Sequence, residues 1–76
     1  MALDQAVIGQ SVLVVRVASD GKTRRHLENL GIMSGAELMP LSMTDGNLIV
    51  RVRDSRIALD KNLADSIVVR ACPSLA

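Results

Sequence analysis

A chain of 76 residues in which 49% are hydrophobic contains no Phe, Tyr or Trp. That absence constrains the fold more than any motif does. The core has to be assembled from Val, Leu, Ile, Met and Ala, and a chain this short buries only about 60% of the surface that its unfolded form exposes. One domain with one modest core is the expected outcome. A catalytic cleft would have to be carved from very little material, and no ring is available to stack on a base or a sugar. Nine basic side chains oppose eight acidic ones. The net charge of +1 gives no general attraction to nucleic acid or to an anionic membrane, so partner choice must be local.

The single cysteine, Cys72, cannot form an internal disulfide and fits a reducing compartment, which points to the cytoplasm. Met1 to Gln10 lacks a basic region followed by an apolar run, so it is not expected to act as a signal peptide. The longest apolar stretches, Val12 to Val15 and Ala6 to Ile8, fall far short of the roughly 20 residues that span a bilayer. No direct membrane insertion is expected.

Val12 to Val17 is rich in β-branched residues and reads as a strand that buries most of both faces. Leu48 to Val52 alternates, with Leu48, Val50 and Val52 on one face and Ile49, Arg51 and Arg53 on the other. Glu37 to Met43 can pair with it as a hairpin, because Asp45-Gly46-Asn47 supplies residues that accept positive φ. A second tight connection at Asp54-Ser55 leads into Arg56 to Leu59, with Ile57 and Leu59 inward, and Ile67 to Arg70 closes the series. Two helical pieces interrupt the strands. Arg24 to Leu30 places Leu27 and Leu30 on one face as core, with Thr23 as cap and Gly31 as the left-handed stop. Asp60 caps a second short helix through Ser66 that packs Leu63, Ala64 and Ile67 onto the sheet. The resulting fold class is mainly β: a small SH3-like antiparallel β-barrel of about five strands with two short helices, its sheet closed so that no edge is left exposed. The core is expected to run from about residue 8 to 70, with 72–76 as a loose tail.

The chemical motifs dissolve on inspection. Gly21-Lys22-Thr23 follows a strand and precedes a helix, as the end of a phosphate-binding loop would. The glycine required five positions before the second one is Arg16, so the segment reads as a turn and cap. His26 is the only histidine and has no second strong ligand in sight, so no metal site is expected, and Met33, Met39 and Met43 read as gap-filling core. No Ser or Cys sits in a strained elbow, and Asp45, Asp54 and Asp60 occupy turn or cap positions. No enzyme activity and no cofactor are expected. Two loose basic groups remain: Lys22, Arg24 and Arg25 at the first helix, and Arg51, Arg53 and Arg56 around the hairpin. With no aromatic platform beside either, a protein contact is favoured over nucleic acid.

Residues 24 to 35, Arg24-Arg25-His26-Leu27-Glu28-Asn29-Leu30-Gly31-Ile32-Met33-Ser34-Gly35, carry a family pattern of basic-Leu-x-x-Leu-Gly-hydrophobic-x-Pro-Gly, with Ser34 in place of the proline. Asp45-Gly46-Asn47, Val50-Arg51-Val52, Ile57-Ala58-Leu59 and Ala64 to Val69 follow in the family's order, with Asp54 where many members carry Gly. From about Ile8 to Val69 the chain resembles the ferrous iron transport protein A (FeoA-like) family. The resemblance implies a bacterial, non-enzymatic, cytoplasmic accessory of a membrane ferrous iron transporter with a GTPase domain, peripheral to the inner membrane through that partner. On this reading GTP, iron and the bilayer are handled by the partner. The expected partner surface is the first helix with its following loop: Lys22, Arg24, Arg25 and Met33. Gly31, Gly35 and Gly46 are structural turns. A homo-oligomeric scaffold and a small nucleic-acid-binding barrel stand as alternatives.

Overall fold

The structure, a computed structural model, describes residues 1–72. Its elements run β1 (Val12–Val17), α1 (Gly21–Asn29), β2 (Glu37–Thr44), β3 (Asn47–Val52), β4 (Ser55–Asp60), α2 (Lys61–Ser66) and β5 (Ile67–Ala71), preceded by a 3-10 turn at Leu3–Gln5. The strands form one five-stranded sheet in the order β4-β3-β2-β1-β5, with every pairing antiparallel. This is the expected SH3-like small β fold. It differs in one respect: β4 and β5 do not pair, so hydrogen bonds do not close the sheet. The six residues of α2 link these two strands directly, and Ala64 at 0% exposure fills the space between them and the 3-10 turn.

Alternation places the core. Val12 and Val14, Leu38, Leu48, Val50 and Val52, Leu59, and Ile67 and Val69 come from the inner faces of all five strands and meet Leu27, Ile32 and Ala64 in a single cluster. Leu3 belongs to the same cluster at 0% exposure. The core therefore begins ahead of the expected start near Ile8, because the 3-10 turn folds back over α2 and β5. β1 departs from expectation in the other direction. Its register with β5 shifts between Val14 and Arg16, and Val15 turns out to solvent at 45% exposure, so only one face of β1 is fully buried.

The turns are built from the residues that tolerate positive φ. Asp45 (φ 52°) and Gly46 (φ 79°) join β2 to β3 in the type I′ pattern. The β3–β4 turn is Arg53-Asp54, one residue earlier than expected, with Val52 opposite Ser55 and Arg53 at φ 56°. Pro40 lies inside β2, where proline costs a ladder bond. It is tolerated because β2 pairs with β1 only at Glu37 and Leu38 and shifts register between Pro40 and Ser42.

Candidate functional site

The region that sequence singles out is α1 and the loop after it, and local chemistry fixes both of its ends. Asp20, not Thr23, is the N-cap: its carboxylate accepts the Thr23 amide at 2.7 Å, so the helix starts at Gly21, three residues earlier than expected. That backbone amide, foremost, also holds the Asp20 carboxyl below its ordinary range. At the other end, the Gly31 amide donates to Glu28 at 2.9 Å and the Ile32 amide to Leu27 at 2.9 Å, the paired bonds of a Schellman stop. Gly31 takes φ 93°, which strains any residue with a side chain, and a Cβ there would also lie 3.1 Å from Val52 Cγ1, a tight contact. Leu27 and Ile32, each at 0% exposure, make the hydrophobic contact of that motif. Leu30, expected in the core, is instead 37% exposed, because the chain leaves the helix on its other side.

The loop is tied back to β1. Gly35 (φ 90°) donates its amide to Val14 at 2.8 Å, Val14 donates to Ala36 at 2.9 Å, and the Ser34 hydroxyl donates to the Val15 carbonyl at 3.0 Å. Where the family pattern has proline, serine holds the loop through a side-chain bond. Met33 is thereby kept out of the core at 42% exposure; of its two expected places, core filler and partner surface, only the second is left to it, while Met43 at the hairpin end, 53% exposed, is not the core filler expected of it. Met39 is half-buried.

Two grooves meet at Met33. One, of about 440 Å³, lies between β1 and α1 and is lined by Val15, Arg16, Val17, Arg24, Glu28, Met33 and Ser34. The other, of about 530 Å³, runs from the loop to the ends of β2 and β3, with Glu37, Arg51 and Arg53 on its wall. The four residues expected to form one surface are divided. Arg24 and Met33 share the first groove, while Lys22 and Arg25 lie beside His26 and Asn29 in a shallower depression on another flank of α1. Arg24 makes one weak ion pair, with Glu28 at 3.8 Å, and both side chains are about half exposed. Sequence reasoning missed Val15 and Arg16. The signal that could have found them is the break in apolar periodicity that Arg16 makes inside β1. Among the described residues no group of three or more His, Cys, Asp or Glu is placed to hold a metal ion, and no helix is long and apolar enough to cross a membrane.

Residues 1–71 match the FeoA domain. The chain belongs to the FeoA domain family. FeoA domains are small accessory domains of iron transport, and the solved structures agree with the assignment. The crystal structure of an iron uptake regulatory protein, FeoA, is 28% identical, with 95% of this chain covering 96% of that one at a TM-score of 0.85. The FeoA protein of Chlorobium tepidum is 27% identical over 96% of this chain and 71% of its own, at a TM-score of 0.88. The manganese-activated repressor ScaR shares the fold at 22% identity and a TM-score of 0.84, with 95% of this chain covering 35% of that longer one. No curated protein sequence matches the chain.

Proposed function

We propose that this FeoA-family chain is a non-enzymatic cytoplasmic accessory of a ferrous iron uptake system, and that it docks on the GTPase domain of the membrane transporter through α1 and the 31–36 loop. The observation that carries the reading is the placement of Met33. It is an exposed, adaptable thioether at the junction of two grooves, with Arg24 on one side and Arg51 and Arg53 on the other. Apolar area ringed by arginine is the composition of a protein contact. Arg24 supplies charge to the first groove, and Lys22 and Arg25 add positive charge on another flank of α1.

The test is an amide NMR titration with the cytoplasmic GTPase region of the transporter from the same cell. Shifts gathered around Val15, Arg16 and residues 22–35, and a loss of affinity of about tenfold or more in the double variant Arg24→Glu, Arg25→Glu, are expected. Both arginines are exposed and their one ion pair contributes little, so the variant keeps its circular dichroism spectrum and melting temperature. Unchanged affinity in a folded double variant overturns this choice of surface.

A further inference from the structure

The outer edge of β5 is occupied at Val68 and Val69, and that of β4 is not occupied by any described segment. Met1 and Ala2 lie along β5: Ala2 bridges Val68, the Val69 amide donates to the Met1 carbonyl at 2.7 Å, and the terminal amine of Met1 donates to the Val69 carbonyl at 3.0 Å. β4 pairs with β3 over all six of its residues without a register shift, and among the described residues no segment pairs with its other side. Edges left open in this way are commonly blunted by proline, a bulge, an inward-pointing charge or charged side chains along the edge; β4 carries only the last, Arg56 and Asp60, and these are of opposite sign.

We propose that β4 pairs with β4 of a second copy, antiparallel about Ala58, extending the sheet across a two-fold axis. The two-residue turn at Arg53-Asp54 makes Val52 and Ser55 a hydrogen-bonded pair, so bonded pairs then recur at every second position and the amides of Arg56, Ala58 and Asp60 face outward. Only registers that set these residues against one another satisfy both edges. Centring on Arg56 would place it against its own copy, and centring on Asp60 would oppose two carboxylates. Centring between Arg56 and Ala58 places Asp54 against Asp60, and centring between Ala58 and Asp60 runs Arg56 against Asn62, which lies in α2 and offers no strand. Centring on Ala58 sets Arg56 opposite Asp60 twice, by symmetry, and Ile57 opposite Leu59 on the core side. Arg56 and Asp60 are both exposed. Asp60 already uses Oδ1 to cap α2, accepting the Leu63 amide at 2.8 Å, and Oδ2 is left for the guanidinium. Half-buried Ile57 gains cover.

Sedimentation velocity of the whole chain, from micromolar to millimolar, tests the proposal. The mass is expected to rise with concentration from 8.1 kDa toward twice that value. Arg56→Glu, which faces two carboxylates with two more, is expected to raise the dissociation constant about tenfold with the circular dichroism spectrum unchanged. In a Cys72→Ser background, Ala58→Cys should oxidise to a covalent dimer much faster than Ser42→Cys on β2, since residues opposed across a bonded pair lie within disulfide reach. A monomer at millimolar concentration, dimerisation unaffected by Arg56→Glu, or equal cross-linking of the two cysteine variants overturns the proposal.

Discussion

β4 and β5 both lie at an edge of one sheet, and they differ in what lies against them. Residues 1–3 cover β5, anchored by Leu3 in the core, whereas β4 faces solvent with Arg56, Ala58 and Asp60. The difference shows how little is needed to protect an edge. Two residues of backbone and one buried leucine cover the edge of β5 at Val68 and Val69, while β4, without such a segment, stays available for pairing. A covered edge contributes to stability, and an open one to association.

The sharpest way to break the contrast is to remove the anchor. Leu3→Ala should cost about 2 to 5 kcal/mol in chemical denaturation, because Leu3 is fully buried and its removal leaves a cavity in the core cluster. It should also speed hydrogen exchange of the Val69 amide. A loss below about 0.5 kcal/mol would mean that the N-terminal segment lies on β5 without holding it. Next in size is Ala58→Pro. The Ala58 amide faces away from β3, so proline should cost only about 1 kcal/mol while abolishing self-pairing. A much larger cost would show that this amide bonds to β3 and that the outward set of residues is the other one. The smallest effect concerns α1, whose cap lies on neither edge strand. Folding lowers the Asp20 carboxyl below its ordinary 3.8, so its contribution is complete above that pH and is lost as pH falls through the lowered folded value. Amide exchange at Thr23 should accelerate over that acid range in the native chain but not in Asp20→Asn, which caps without titrating, while protection at Val69 stays level.

The strands were legible wherever one face is buried. Leu48, Val50 and Val52 declare their face by alternation, and the Asp45-Gly46 turn follows from the positive φ that both residues accept. Gly31 was legible as a helix stop for the same reason. Side chains whose fate depends on distant neighbours were not legible. Leu30 and Met33 look like core by composition, but the Schellman turn swings Leu30 outward, and the Ser34 tie to Val15 presents Met33 at the surface. The candidate surface was half legible: its basic residues announce themselves, while their division between separate flanks of α1 follows only from helix geometry and the course of β1.

The aliphatic composition and the order of strand, turn and cap signals by themselves determined a small, mainly β domain with two short helices, because alternation, positive φ and capping act over a few residues of chain. Only the tertiary structure decided that the sheet stays open between β4 and β5, that Met1 and Ala2 close one edge, and that Met33 joins two grooves. Each of these depends on contacts between segments far apart in sequence, such as Met1 with Val69 and Ser34 with Val15, and local propensity carries no information about which distant backbone will arrive to accept a bond.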